Sequence, residues 1–183
     1  MPGDRDFIQI LDAALAESDR RSGEWLVCRR GCTECCTGPF PITQLDAARL
    51  REGLAELERS DPARAARVIE RTREAAARGD QGDEDACPVL DPETGGCDLY
   101  AARPVTCRTF GPPMRWGGEP LGICELNFRG ATDEEIAACE VAVDAREMEA
   151  GLLDSLERET GASGETSVAS ALLSGPDGSR AST

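Results

Sequence analysis

The sequence predicts a mainly α-helical chain with irregular cysteine-rich loops and at most a small β-hairpin. Two observations carry that expectation. Apolar residues recur at helical spacing in several stretches that open on N-terminal cap signatures. Nine cysteines, by contrast, lie mostly in segments too rich in glycine, proline and polar residues to form regular structure. With 183 residues the chain has room for one modest core, as one domain with a helical insertion and a tail.

Residues 1–22 are expected to form an N-terminal amphipathic helix, because Phe7, Ile8, Leu11, Ala14 and Leu15 share one side and charges occupy the other. Trp25-Leu26-Val27 then enters the run Cys28-Arg-Arg-Gly-Cys32-Thr-Glu-Cys35-Cys36, which reads as a loop and begins a cysteine-rich domain over 23–130. Inserted in that domain is a helical hairpin over 44–78. Thr43 to Asp46 has the form of a capping box, and Leu45, Ala48, Leu50, Leu54 and Leu57 carry the first stripe. Asp61 before Pro62 opens the second helix, and Gly79 can close it. The many arginines and glutamates of this hairpin read as a solvated, ion-paired face.

The acidic run 80–85 is a connecting loop. Cys87-Pro-Val-Leu90 and Cys97-Asp-Leu-Tyr100 flank a turn-rich link suited to two short strands. Pro104 introduces a short helical turn around Cys107, and glycines and prolines over 111–118 mark an irregular stretch leading to Cys124. Thr132 to Glu135 is a second capping box, opening a C-terminal helix over 131–159; capping accounts for its clustered carboxylates. From 160 to 183 serine, alanine, glycine and threonine predominate, as in a disordered tail.

Composition excludes several kinds of chemistry. The net charge of −15 repels phosphate backbones, so no nucleic-acid partner is expected. All 20 basic residues are arginine, and there is no histidine. Histidine-based triads, histidine zinc sites, P-loop lysines and Schiff bases are therefore unavailable. No apolar run reaches the ~18 residues of a membrane span, and the charged N-terminus lacks a secretory signal pattern, so a cytoplasmic, membrane-free protein is expected.

In a reducing compartment, thiols at short spacing point to metal more than to disulfides. Cys28, Cys32, Cys35 and Cys36 fall within nine residues, and soft thiolates select zinc, copper(I) or iron–sulfur. Cys28-x3-Cys32-x2-Cys35 also matches the spacing of radical S-adenosylmethionine enzymes, but the chain lacks the length and βαβ pattern of their barrel. Successive side chains of extended chain point apart, so Cys35 and Cys36 are suited to serving two centres, or one centre and a neighbouring structural contact. Cys87, Cys97, Cys107 and Cys124 bring the ligand candidates to eight, and at least one site is expected to mix thiolates of the two blocks. Cys139 stands apart: with Ile136 and Val143 it makes an i, i+3, i+7 stripe, the pattern of a buried structural thiol.

The residues resemble a known family of small cysteine-cluster proteins, the YkgJ-like CxxCxxCC domains described as chelating zinc or iron. The likeness rests on Cys32, Cys35 and Cys36 with Cys28 ahead, then on Cys87-Pro88-Val89-Leu90, Cys97-Asp98-Leu99-Tyr100, Arg103-Pro104-Val105-Thr106-Cys107-Arg108 and Cys124. The first gap departs from the family pattern, with three residues in place of two. The resemblance implies metal binding; a related domain occurs in flagellin lysine methylases. Arg103 and Arg108 stand in the motif, where guanidinium groups can offset thiolate charge and donate to sulfur. Arg29 and Arg30 are weaker candidates for the same role, and Tyr100 reads as a packing residue.

The expected function is thus a metal-binding protein whose zinc or iron, an iron–sulfur cluster included, chiefly stabilises the fold and presents a surface to a protein partner. An iron–sulfur or iron enzyme, redox or methyl-transferring, and a metal storage or delivery protein are the alternatives. No substrate pocket follows from the sequence.

Overall fold

A computed structural model of the chain describes residues 3–174 except 30, 39, 80, 81, 83, 84 and 144. The chain divides into two compact units: one draws on residues up to Arg29 and on Thr106–Ser155, the other on Arg30–Val105 and the chain from Leu156 onward. Both are mainly helical, and among the described residues no helix is long and apolar enough to cross a membrane.

The first unit begins with α1 (Asp4–Ser22), which buries Phe7 and Leu11 along its apolar stripe. A single 3-10 turn follows at Gly23–Trp25. The helix α4 (Val105–Thr109) starts directly after Pro104, as the fixed proline φ favours. Beyond it lies a small sheet of β2 (Met114–Trp116), β3 (Glu119–Pro120) and β4 (Val141–Val143), in the order β3-β2-β4. Gly117 and Gly118 both have positive φ, as a type I′ hairpin turn requires, so part of the stretch expected to be irregular folds as a hairpin. The Phe7 ring meets Trp116 edge-on at 6.0 Å, and the Ser18 hydroxyl donates to the Pro113 carbonyl at 3.2 Å.

The helix expected over 131–159 is divided. Its capping box is present, with Thr132 and Glu135 bonding reciprocally, but α5 (Asp133–Cys139) ends before β4 and α6 (Arg146–Thr160) begins anew. Val141 and Val143 are buried with Ala142 exposed between them, a two-residue alternation that pairs in parallel with β2. The chain therefore exceeds the one small hairpin expected of it.

The second unit is built on the hairpin α2 (Gln44–Ser60) and α3 (Pro62–Ala77). Thr43 and Asp46 complete the capping box of α2, and Asp61 caps α3 by accepting from the Arg64 N–H at 3.0 Å. Leu50, Leu54, Ala65 and Val68 form a core with Val89 and Leu99 of the cysteine-bearing segment. A Cβ at Gly53 would collide with that of Ala102, so the absent side chain lets the 3-10 turn Tyr100–Ala102 lie directly on α2. Disorder was expected from 160 onward, but β5 (Glu165–Thr166) pairs with β1 (Ile42–Thr43), and α7 (Val168–Leu173) packs on α2 and α3. The Ser167 cap and the stripe Val168, Ala171 and Leu172 explain it, all three being buried. The remainder of the expected tail, 175–183, and much of the acidic run over 80–85 lie outside the described residues.

Candidate metal centre

Cys32, Cys35, Cys36, Cys87 and Cys97 all belong to the second unit. A turn closed by the Cys36 N–H on the Thr33 carbonyl at 2.8 Å folds Cys35 and Cys36 so that their thiols hydrogen-bond to each other. The expectation that they point apart holds only for extended chain, which this is not. The Cys87 N–H donates to the Cys36 carbonyl at 2.8 Å, and Thr37 pairs with Ala86 in an antiparallel bridge. Leu90 in turn bridges Cys97, with the Asp98 N–H donating to Val89 at 2.8 Å. Backbone bonding alone thus brings first-block Cys36 to second-block Cys87, and ties the Cys87 segment to that of Cys97. Two left-handed glycines draw in the loop before Cys32: a Cβ on Gly95 would stand 3.2 Å from the Gly31 carbonyl oxygen.

The electrostatics tie the same thiols together. Burial pushes the Cys87 thiol up to about 11, with the neighbouring Cys97 and Cys35 thiols adding to the rise. Burial raises Cys97 as well, and the hydrogen bond with Cys36 raises Cys35. Backbone donors oppose these shifts. The Val89 N–H serves Cys87 and the Leu99 N–H serves Cys97, each two residues beyond its cysteine, and both favour the anionic sulfur. The charges of Arg71 on Cys87, and of Arg103 and Arg64 on Cys97, act in the same direction.

Asp98, whose side chain is 2% exposed, receives Arg64 Nε on one carboxylate oxygen and Arg71 Nη2 on the other, each at 2.5 Å. Arg71 Nε also donates to the Pro88 carbonyl at 3.0 Å. These arginines were read as part of a solvated face; they instead bind the cysteine-bearing segment. Arg103 stacks its guanidinium 4.0 Å above the Tyr100 ring, and Tyr100 is 64% exposed, so the ring is a surface platform and not the packing residue expected.

Cys28, Cys107, Cys124 and Cys139 belong to the first unit. Cys28 is exposed, while Cys107, on α4, and Cys124 are half-buried. Buried Asn127 organises their surroundings. Its Oδ1 accepts from the Val27 N–H at 3.1 Å, its Nδ2 donates to the Gly111 carbonyl at 2.9 Å, and its own N–H donates to the Cys124 carbonyl at 2.9 Å. Arg108 is buried and donates to Asp12 at 2.5 Å. Arg29 is exposed, and Arg30 lies outside the described residues. Cys139 is buried at the end of α5, where its S–H donates to the Arg21 carbonyl at 3.3 Å. No disulfide joins any of the nine cysteines. Among the described residues no three cysteine, aspartate or glutamate side chains stand ready as a ligand set, so what the fold supplies is the gathering of the segments.

The sequence model of the CxxCxxCC family, described as "Putative zinc- or iron-chelating domain", matches residues 27–140. The chain belongs to the CxxCxxCC family. No curated protein and no solved structure matches the chain significantly. The CxxCxxCC match takes in all nine cysteines and the hairpin α2–α3, while α1, α6 and α7 lie outside it. Three residues of this CxxCxxCC domain have roles that the sequence alone does not show: Arg71, Asp98 and Asn127. Arg64 and Arg71, seven residues apart, share a face of α3, and an aspartate directly follows Cys97 between otherwise apolar neighbours. Asn127 is the chain's sole asparagine, three residues after Cys124.

Proposed function

We propose that the protein binds zinc or iron through cysteine thiolates and that the metal is chiefly structural. Its ligands come from two sets, Cys32, Cys35, Cys36, Cys87 and Cys97 in one unit and Cys28, Cys107 and Cys124 in the other. One observation carries the reading: Cys36 and Cys87, fifty-one residues apart in sequence, are joined by a backbone hydrogen bond of 2.8 Å. Around that bond lie Cys35 and Cys97, and the Val89 and Leu99 N–H groups are aimed at sulfur. The donor set fits a soft cation: crowded, partly buried thiols with backbone donors become good ligands once a divalent ion offsets their charge. Because the thiols do not stand as a finished ligand set, metal uptake and local ordering occur together. Such thiols persist in a reducing compartment, and we place the protein in the cytoplasm.

Elemental analysis and an absorption spectrum of anaerobically purified protein test this. Zinc or iron should be present, colourless in the first case and absorbing visibly in the second. Cys36→Ala and Cys107→Ala should each lower bound metal, and their losses should add, because the residues belong to different sets. A wild-type protein that neither retains nor takes up zinc or iron overturns the reading.

A further inference from the structure

The guanidinium of Arg71 bonds to both second-block cysteine segments of its unit, reaching the carbonyl of the residue after Cys87 and the carboxylate of the residue after Cys97. We infer that Arg71 is a positioning residue, which sets Cys87 and Cys97 as one half of a metal site. This rests on the metal-binding reading above.

Several features make Arg71 suited to the task. It projects from α3, which is capped by Asp61 and packs Ala65 and Val68 with Leu50 and Leu54 of α2, in a core that Cys87, Val89 and Leu99 also join. The cap and the packing of α3 on α2 need no thiolate–metal bond, so the helix is a reference frame for the segment that joins it. Its planar fork satisfies two acceptors at once, at 3.0 and 2.5 Å, which a lysine ammonium at the same place cannot match in geometry. Pro88 can donate no backbone bond, and its carbonyl accepts from Arg71, which fixes it from outside the segment. Asp98 is shared with Arg64, so its carboxylate is held from two directions. Two guanidinium groups against one carboxylate leave a net positive charge beside sulfurs that become anionic on binding metal. Arg64 reaches Asp98 alone, so its removal leaves both bonds of Arg71 standing.

Cobalt(II), whose thiolate complexes absorb strongly, is the probe, added anaerobically to the full metal-free chain and titrated against a chromophoric chelator. Arg71→Met should weaken cobalt binding at this set about 10–100-fold, the usual effect of losing an outer-shell partner. Its thiolate-to-cobalt band should fall in parallel, with helical circular dichroism unchanged. Arg71→Lys, which keeps the charge but not both bonds, should fall between wild type and Arg71→Met; Arg64→Met should lose less than either. Affinity within about twofold of wild type in Arg71→Met overturns the inference. If Arg71→Met does not fold, Arg71→Lys decides: full affinity overturns the inference, and reduced affinity at unchanged helicity supports it. A wild type without any thiolate-to-cobalt band instead overturns the metal reading itself, which separates the two failures.

Discussion

The two units hold their cysteines by different means. In the unit built on α2 and α3, the backbone rungs between Cys36, Cys87 and Cys97 are fastened to a helix through charge: Arg64 and Arg71 on a buried Asp98. In the other unit the neutral amide of Asn127 binds Val27 beside Cys28, Gly111 beyond Cys107, and Cys124, while the guanidinium next to Cys107, that of Arg108, goes to Asp12 of α1. A guanidinium clamp adds positive charge near sulfur as well as geometry; an amide adds geometry alone. Two cysteine sets of one chain are therefore unequal in what surrounds them, even though the residue type is the same.

Metal removal should expose the contrast between clamped segments and helices most fully. Structural zinc in small peptides contributes on the order of 10 kcal/mol at neutral pH, which is large beside what the few core side chains of the cysteine segments, such as Val89 and Leu99, supply. Chelation should therefore abolish most amide protection over 28–40 and 87–124. The hairpin α2–α3, with its caps and its core around Leu50 and Val68, should keep its protection. Hydrogen exchange of loaded and chelated protein checks this; unchanged protection of the cysteine segments after complete chelation would sink the coupling.

The elements that the sequence makes legible are those with a local signature. Thr43, Asp61 and Thr132 announce α2, α3 and α5, because a cap is decided within four residues. The cysteines declare themselves by type and spacing, and the family resemblance follows from them. What the sequence hides is long-range. Val141 and Val143 become a strand because β2 is there to pair with, and α7 forms because α2 and α3 offer an apolar face. Likewise Arg71 looks like any solvated arginine until Pro88 and Asp98 arrive from 17 and 27 residues away. The turn at Thr33–Cys36 is local, yet two adjacent cysteines do not reveal whether their backbone is extended or folded.

The neutral amide of the first unit gives a smaller effect than chelation. Asn127→Ala removes the partner of the part-buried Val27 N–H and one of two donors to the Gly111 carbonyl, which keeps the Cys124 N–H at 3.3 Å, at a cost of about 1 kcal/mol. Bound metal should fall at the set containing Cys28, Cys107 and Cys124, with the set around Cys87 unaffected. Denaturant melts with metal counting measure both. Loss of metal from both sets alike would erase the distinction between the amide and the guanidinium clamp.

The smallest effect belongs to the ninth cysteine. The spacing of Cys139 and Val143 predicts a single helical stripe, but helix and strand divide between them, and Val143 is buried from β4. Burial of Cys139 nonetheless stands, and its sulfur is occupied by an S–H bond to the Arg21 carbonyl of α1. Arg21 in turn donates to the Glu140 carbonyl at 2.9 Å, so the end of α5 is fastened to α1 twice. Cys139→Ala removes the weaker fastening and one sulfur's worth of packing, worth roughly 1 kcal/mol, and leaves Arg21 on Glu140 intact. Bound metal should equal wild type, while the midpoint of denaturant unfolding falls slightly. Metal loss in Cys139→Ala equal to that in Cys107→Ala would show that this thiol serves the first unit's set and that its bond to Arg21 does not define its role.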